Sequence, residues 1–275
     1  MLLMGLKPYP YWDKILPFGA KRPRGKFFTT SAKMAKNKSL PEVTKMNQTA
    51  FIKIKPNQAK ALMLAKHDLS SLVHNAVQLE NINFTLPEVQ TILDGITIGG
   101  SKLTDQIITA NQGKAWNALF ALIKDDEFEV SADIACKLHG IAGLEEALEW
   151  GKFRNGGVLI AGTQYTPPKA DLLADAFEKM VADMNLLEDI YDQAIHVFLT
   201  MARNQFFWDV NKRMGRFMMN GVLLQAGYPA INLPASRQLE FNQLMLDFYE
   251  SNEQGPMNAF MRSCLDPRAI EIMQE

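Results

Sequence analysis

Apolar residues recur three and four apart through most of the chain, so helical periodicity dominates. From about Asn57 to Val77, residues Leu62, Leu64, Ala65, Leu69, Leu72, Val73, Ala76 and Val77 share one face. Thr85-Leu-Pro-Glu88 reads as a capping residue followed by proline and glutamate in a first turn, which starts another helix. Residues 95–103 form a loop, with room for a short strand. Residues 104–123 turn Ile107, Ile108, Ala115, Leu119 and Leu122 inward, and residues 131–150 hold one or two shorter helices. Phe177, Met180, Val181 and Met184 predict a helix over 171–184; Ile190, Ala194, Val197, Phe198 and Met201 predict another over 186–203. More helix is expected at 211–226, 236–250 and about 257–263. Residues 152–168 break the period. Asn155-Gly156-Gly157 is turn chemistry, Val158 to Ile160 is branched and apolar, and Pro167-Pro168 stops a strand. The expected fold is all-α in the main, with a single β-hairpin near 153–167.

Charge divides the chain unevenly. The whole carries 29 basic and 30 acidic side chains, a net charge of −1. Residues 1–60 nevertheless hold thirteen Lys and Arg against only Asp13 and Glu42. Pro8, Pro10, Pro17, Pro23 and Pro41 interrupt any helix there, and Lys21-Arg-Pro-Arg-Gly-Lys26 is exposed by composition. Residues 1–50 thus read as a basic, largely irregular arm, and 51–275 as the folded body. Tyr9, Tyr11 and Trp12 are the residues that would pin the arm down. The simpler reading is a solvated arm; the sharper one is an arm for nucleic acid or an anionic membrane. No helix-turn-helix, zinc or RNA-binding signature accompanies it. No apolar run approaches the ~20 residues of a membrane span. Met1 to Leu6 makes a poor signal peptide, because tyrosines, prolines and charges follow at once. The only two cysteines, Cys136 and Cys264, lack metal spacing and suit a reducing cytoplasm, although a disulfide between them stays open.

Candidate chemistry gathers in Gln205-Phe-Phe-Trp-Asp-Val-Asn-Lys-Arg-Met-Gly-Arg216. Asp209 or Asn211 is placed to cap the helix that follows. Lys212, Arg213 and Arg216 carry the wrong sign for a helix start, which is partially positive and has spare N–H donors. A bound anion reverses that penalty. Arg213 and Arg216 share a helix face, so amides and guanidiniums there would hold a polyphosphate, with Asp209 on a divalent metal. A solvated basic turn capped by Asp209 is the competing reading of the same residues.

This stretch resembles the signature loop of the Fic (Fido) family, His-Pro-Phe-x-Asp/Glu-Gly-Asn-Gly/Lys-Arg-x-x-Arg. Phe207, Asp209, Asn211, Arg213 and Arg216 match by position, and Lys212 is a familiar variant. Members of that family mostly transfer AMP from ATP to a protein hydroxyl. The resemblance implies ATP and Mg²⁺ as cofactors, with Asn211, Lys212, Arg213 and Arg216 on the nucleotide phosphates and Asp209 on the metal. Arg213 and the residue at the histidine position would carry the chemistry. Three departures stand out: Gln205 replaces the catalytic histidine, Val210 the glycine, and Phe206 the proline. A stretch further upstream adds a second likeness. Ala76 to Asn81 resembles the inhibitory motif Ser/Thr-x-x-x-Glu-Gly/Asn, with Glu80 and Asn81 matching and Ala76 departing. In the family that glutamate pairs with the second arginine, here Arg216, so an inhibitory helix is expected over about 57–81. Residues 152–168 resemble the family's flap, which lies over the active site and pairs with an extended segment of the target. Gly157, Val158, Leu159, Ile160, Thr163 and Tyr165 are its candidate residues.

Gln205 is a neutral amide and cannot act as the base. Valine at 210 resists the positive φ that glycine adopts freely. The sequence therefore predicts a Fic-fold relative of AMP transferases, weakly active or silent, that retains a nucleotide-phosphate and Mg²⁺ loop. A binding regulator without catalysis, or a nucleic-acid-associated protein working through its arm, are the alternatives. His139 and His196 read as core histidines.

Overall fold

The computed structural model describes residues 54–275. The expectations about the arm at 1–50, its pinning aromatics and any nucleic-acid role lie outside the described residues. The body is built of helices: α1 (Gln58–His67), α2 (Leu69–Gln78), α3 (Leu86–Leu93), α4 (Leu103–Lys124), α5 (Ala132–Ala142), α6 (Leu173–Asn185), α7 (Ile190–Asn204), α8 (Asn211–Gln225), α9 (Gln238–Ser251), α10 (Gly255–Arg262) and α11 (Pro267–Gln274). Among the described residues, no helix is long and apolar enough to cross a membrane.

The core forms around α8. Thirteen of its fifteen residues are buried. A helix buried all round lies at the centre of its domain. It packs along α7 and is flanked by α4, α5 and α1. Trp116 of α4 meets Phe217 of α8 edge-on at 5.3 Å. Asn220, buried mid-helix, exchanges two hydrogen bonds with the backbone of Ile231, at 3.1 and 2.8 Å, and so anchors the chain beyond α8.

Helix ends follow the local chemistry. Thr85 and Glu88 form a reciprocal capping box at the start of α3. The single helix expected from 57 onward is broken at Asp68, which closes α1 and opens α2 without a side-chain cap. The turn that follows α2 closes at Asn81, whose φ of 63° is left-handed. Asn81 N–H reaches the carbonyl of Gln78, and Ile82 N–H that of Val77, the pairing that closes a helix through one left-handed residue. Asparagine accepts this conformation more readily than most side chains. Gln238, the first residue of α9, donates to the carbonyl of Leu79 at 3.2 Å and so ties down the same helix end. Past α5, residues 143–150 form a turn rather than a second short helix, entered through left-handed Glu145. The short terminal α11 was not among the expected helices.

No strand occurs among the described residues, which corrects the expected β-hairpin. Residues 152–168 run extended and bent, with a left-handed turn at Gly162. A strand needs a partner, and the two legs of this segment are tied elsewhere. Arg154 N–H donates to the carbonyl of Phe206, and Gln164 N–H donates to Glu250 of α9 at 2.7 Å. Leu159, in the middle of the apolar run at 158–160, is 86% exposed.

Gly227 closes α8 at φ +80°, where an added Cβ would lie 2.6 Å from the backbone nitrogen of Asn57. That nitrogen donates to the carbonyl of Gly227 at 2.8 Å, joining the start of α1 to the end of α8. Gly227→Ala combines left-handed strain with a backbone clash. It is expected to cost about 2 kcal/mol or more, seen as a melting temperature lower by about 4–8 °C.

Candidate functional site

The site is the loop between α7 and α8, and two left-handed residues bracket it. Gln205 ends α7 at φ 50°, and Val210 precedes α8 at φ 65°. The buried Val210 thus adopts the glycine-like conformation that its β-branch disfavours. Its N–H donates to Asp209 Oδ1 at 2.6 Å. Asn211 does not cap the helix; it staples the loop from within. Its Oδ1 accepts from Phe207 N–H at 2.9 Å, and its Nδ2 donates to the Phe207 carbonyl at 2.8 Å and to Gln205 Oε1 at 3.1 Å. No side chain caps the first turn of α8. Its amides therefore point into the loop with their partial positive charge uncompensated.

Behind the loop, Arg154 is 2% exposed. Its guanidinium donates to four backbone carbonyls: Gln205 at 2.6 Å, Gly156 at 2.5 Å, Asn204 at 3.4 Å, and Pro168. One side chain thereby fastens both ends of the 156–168 segment to the end of α7. The Trp208 ring covers Gly156 so closely that a Cβ there would sit 2.6 Å from it. The indole Nε1 donates to Glu149 at 3.2 Å.

His139 of α5 is fully buried and stacks on Phe207 at 3.9 Å. Its Nδ1 accepts from Gly151 N–H at 3.1 Å, which leaves Nε2 as the protonated nitrogen, 3.4 Å from the Asp209 carbonyl. Burial pushes its pKa down to about 4, against the pull of the Asp209 carbonyl and with further lowering by Arg213. His139 is thus a neutral strut of the loop. His196 faces away, bonded to Gln254 and Thr200.

The three cations at the start of α8 are all met by carboxylates. Glu80, on the turn after α2, lies 3.4 Å from Arg216 and 3.6 Å from Lys212. Burial raises the Glu80 pKa, but Lys212, Arg213 and Arg216 outweigh it and hold the carboxyl below its usual range. Burial brings the Arg216 guanidinium down to about 10, with Glu80 opposing and Arg213 adding to the shift, so it stays charged at neutral pH. Arg213 is buried and bidentate on Glu146, with Nη1 at 2.8 Å from Oε2 and Nη2 on Oε1. Asp209 is exposed. Among the described residues, no group of three or more His, Cys, Asp or Glu gathers as a metal site.

The structure brings Gln205, Asp209, Asn211, Lys212, Arg213, Arg216 and Glu80 into one neighbourhood. Asn81 enters it only by setting the helix end that carries Glu80. In the flap segment Gly157 and Leu159 are exposed and Val158 and Ile160 half-buried. Thr163 bonds Glu250 through its hydroxyl, and Tyr165 lies 3.8 Å beneath the Arg203 guanidinium. Sequence reasoning missed Glu146, Arg154 and Trp208 as parts of the site. Arg154 did carry a signal, a lone guanidinium between Phe153 and a turn.

Residues 129–223 match the family model described as Fic/DOC family. The protein adenylyltransferase fic-1 of Caenorhabditis briggsae is 23% identical over 176 residues, covering 62% of this chain and 34% of that protein. The protein adenylyltransferase Fic of Drosophila willistoni is 22% identical over 203 residues, covering 70% and 39%. The chain thus spans well under half the length of these relatives. Among solved structures, a Fic-domain-containing signaling protein from Bacteroides thetaiotaomicron superimposes with a TM-score of 0.65 at 18% identity, covering 80% of this chain and 90% of that one. Fic-1 of Caenorhabditis elegans gives 0.63 at 18% identity, covering 79% and 71%.

Two outcomes follow from the geometry. Arg154→Lys leaves at least one of the four buried carbonyls without a donor and is expected to destabilise the fold by about 1–3 kcal/mol in urea melts. The second concerns acid. Because the His139 pKa is lowered on folding, the unfolded chain binds more protons between pH 6.5 and 4. Stability is therefore full above about pH 6.5 and falls as the pH drops toward 4. His139→Gln should flatten that slope in denaturation curves taken across the window.

Proposed function

We propose that this chain, which belongs to the Fic/DOC family, is a relative of protein adenylyltransferases that keeps a nucleotide-polyphosphate loop and has lost efficient AMP transfer to hydroxyls. The carrying observation is Gln205. Its Oε1 accepts from Asn211 and its Nε2 donates to the Ala202 carbonyl at 2.6 Å. Both ends of the amide are spent inside the loop, and neither atom is basic at neutral pH. Neither nearby histidine substitutes for it, since His139 and His196 are both held by bonds of their own. Loss of a general base costs about 10²–10⁴ in rate.

The residues present fit a magnesium nucleotide. The left-handed turn at Val210 leaves the first amides of α8 open, and Lys212 and Arg216 stand beside them. These groups would hold phosphate oxygens by charge-assisted hydrogen bonds. The Asp209 carboxylate, exposed and bound through one oxygen to Val210 N–H, has its other oxygen for the metal. Magnesium commonly takes one or two protein carboxylates and completes its shell with phosphate and water. When bound, it would neutralise charge on the phosphates.

Glu80 accounts for regulation in this reading. A carboxylate on Arg216 and Lys212 occupies the cations that the terminal phosphate would use, so nucleotide binding requires it to leave. The segment at 157–161, whose backbone amides and carbonyls have no backbone partner among the described residues, suits an extended protein target by strand addition.

A labelled-ATP transfer assay tests the reading. Glu80→Gly alone should bind ATP and transfer no AMP. Glu80→Gly with Gln205→His should become active without any change at Val210, because the loop already holds its left-handed turn. Transfer by Glu80→Gly alone would mean that another base operates.

A further inference from the structure

Glu80 is not the strongest carboxylate contact at the loop. Its oxygens stand 3.4 and 3.6 Å from Arg216 and Lys212, whereas Glu146 grips Arg213 through two parallel N–H···O bonds, one of 2.8 Å and one shorter. That fork-to-fork arrangement is the one a guanidinium uses for phosphate. Glu146 therefore occupies the face of Arg213 that a phosphate would take. A further donor of Arg213, its Nε–H, is buried and has no hydrogen-bond partner among the described residues. Arg213, Arg216 and Gln112 are among the residues that line a cavity of about 20 Å³. Such a volume holds a single water, not a phosphate.

We propose that Glu146 is a second carboxylate gate, set on Arg213 as Glu80 is set on Arg216, so that the loop reaches full polyphosphate affinity only when both have moved. This rests on the nucleotide-loop reading above. Charge supports it: Lys212, Arg213 and Arg216 face Glu80, Glu146 and Asp209, three against three, which leaves no surplus for a polyanion. Removing Glu80 releases Lys212 and Arg216 and leaves Arg213 neutralised. The carriers of the two gates also differ. Glu80 sits at a helix end tied down by Gln238. Glu146 sits on the turn 143–150, whose Glu145, Leu148 and Trp150 are exposed. That turn is held by Asn111 donating to the Leu144 carbonyl at 3.0 Å and by Glu149 on Trp208. Such a turn can open locally without separating the helices that flank it.

The test is calorimetry with Mg-ATP, and with adenosine as the ligand lacking phosphate, on Glu80→Gly, Glu80→Gly/Glu146→Gln and Glu80→Gly/Glu146→Asp. Circular dichroism melts verify folding of each. Relative to Glu80→Gly, the Gln double variant is expected to bind ATP at least about tenfold tighter, the scale of one added charge-assisted contact. The Asp variant, which keeps the charge but shortens its reach, should fall between, and it carries the test if the Gln variant does not fold. Adenosine affinity should be equal in all three. If Glu80→Gly binds ATP and neither Glu146 variant binds it tighter, the gate is refuted and Glu146 merely orients Arg213. If no folded variant binds ATP, the nucleotide-loop reading itself fails, and the gate with it.

Discussion

One buried guanidinium sets the frame for everything around the loop. Arg154 is charged, almost wholly inside, and bonded to four carbonyls drawn from two separate segments. Burial lowers its pKa, and the dipoles of those carbonyls replace the water it has lost. Because a guanidinium is planar and rigid, the four carbonyls are fixed in direction as well as distance. The carbonyl of Gln205 is one of them, so the left-handed turn that ends α7 is locked from behind. The segment at 156–168 has no sheet to belong to, and it takes its position from the same side chain.

With that end fixed, the loop tolerates a residue it would otherwise reject. A valine at φ 65° costs roughly 1–2 kcal/mol relative to glycine. The surroundings over-determine it: Asp209 Oδ1 takes its N–H, His139 stands by the preceding carbonyl, and Asn211 binds the loop at Phe207 and Gln205. The geometry of a glycine is thus imposed by neighbours rather than by local preference. Gln205 is a different case: its amide is held by Asn211 and by the Ala202 carbonyl, and those bonds fix its position without making it basic.

What could be read from the chain depended on range. The long periodic helices, α4, α6, α7, α8 and α9, were legible because apolar spacing alone defines them. The break at Asp68 was not, since both sides share one apolar face. The hairpin failed for a related reason: a branched apolar run at Val158 to Ile160 says that a segment is extended, not that a partner strand exists. Within the site, residue types and spacing marked Asp209, Asn211, Arg213 and Arg216, and only the likeness to an inhibitory motif marked Glu80. Nothing local marks Glu146, one of three glutamates in an exposed turn, because its significance lies in Arg213, 67 residues away. Arg154 is separated from Gln205 by 51 residues and shows its role only through tertiary contact.

Helix α9 touches two places that the chain keeps far apart. Its first residue, Gln238, holds the helix end beneath Glu80, and Glu250, near its other end, holds Thr163 and Gln164. About twelve residues of helix separate them, a span of about 18 Å at roughly 1.5 Å per residue. The distance between the carboxylate over the arginines and the tip of the extended segment is therefore fixed by a rigid rod, not by the loops that carry them. Displacement at one end of that rod is felt at the other as tilt rather than as stretch.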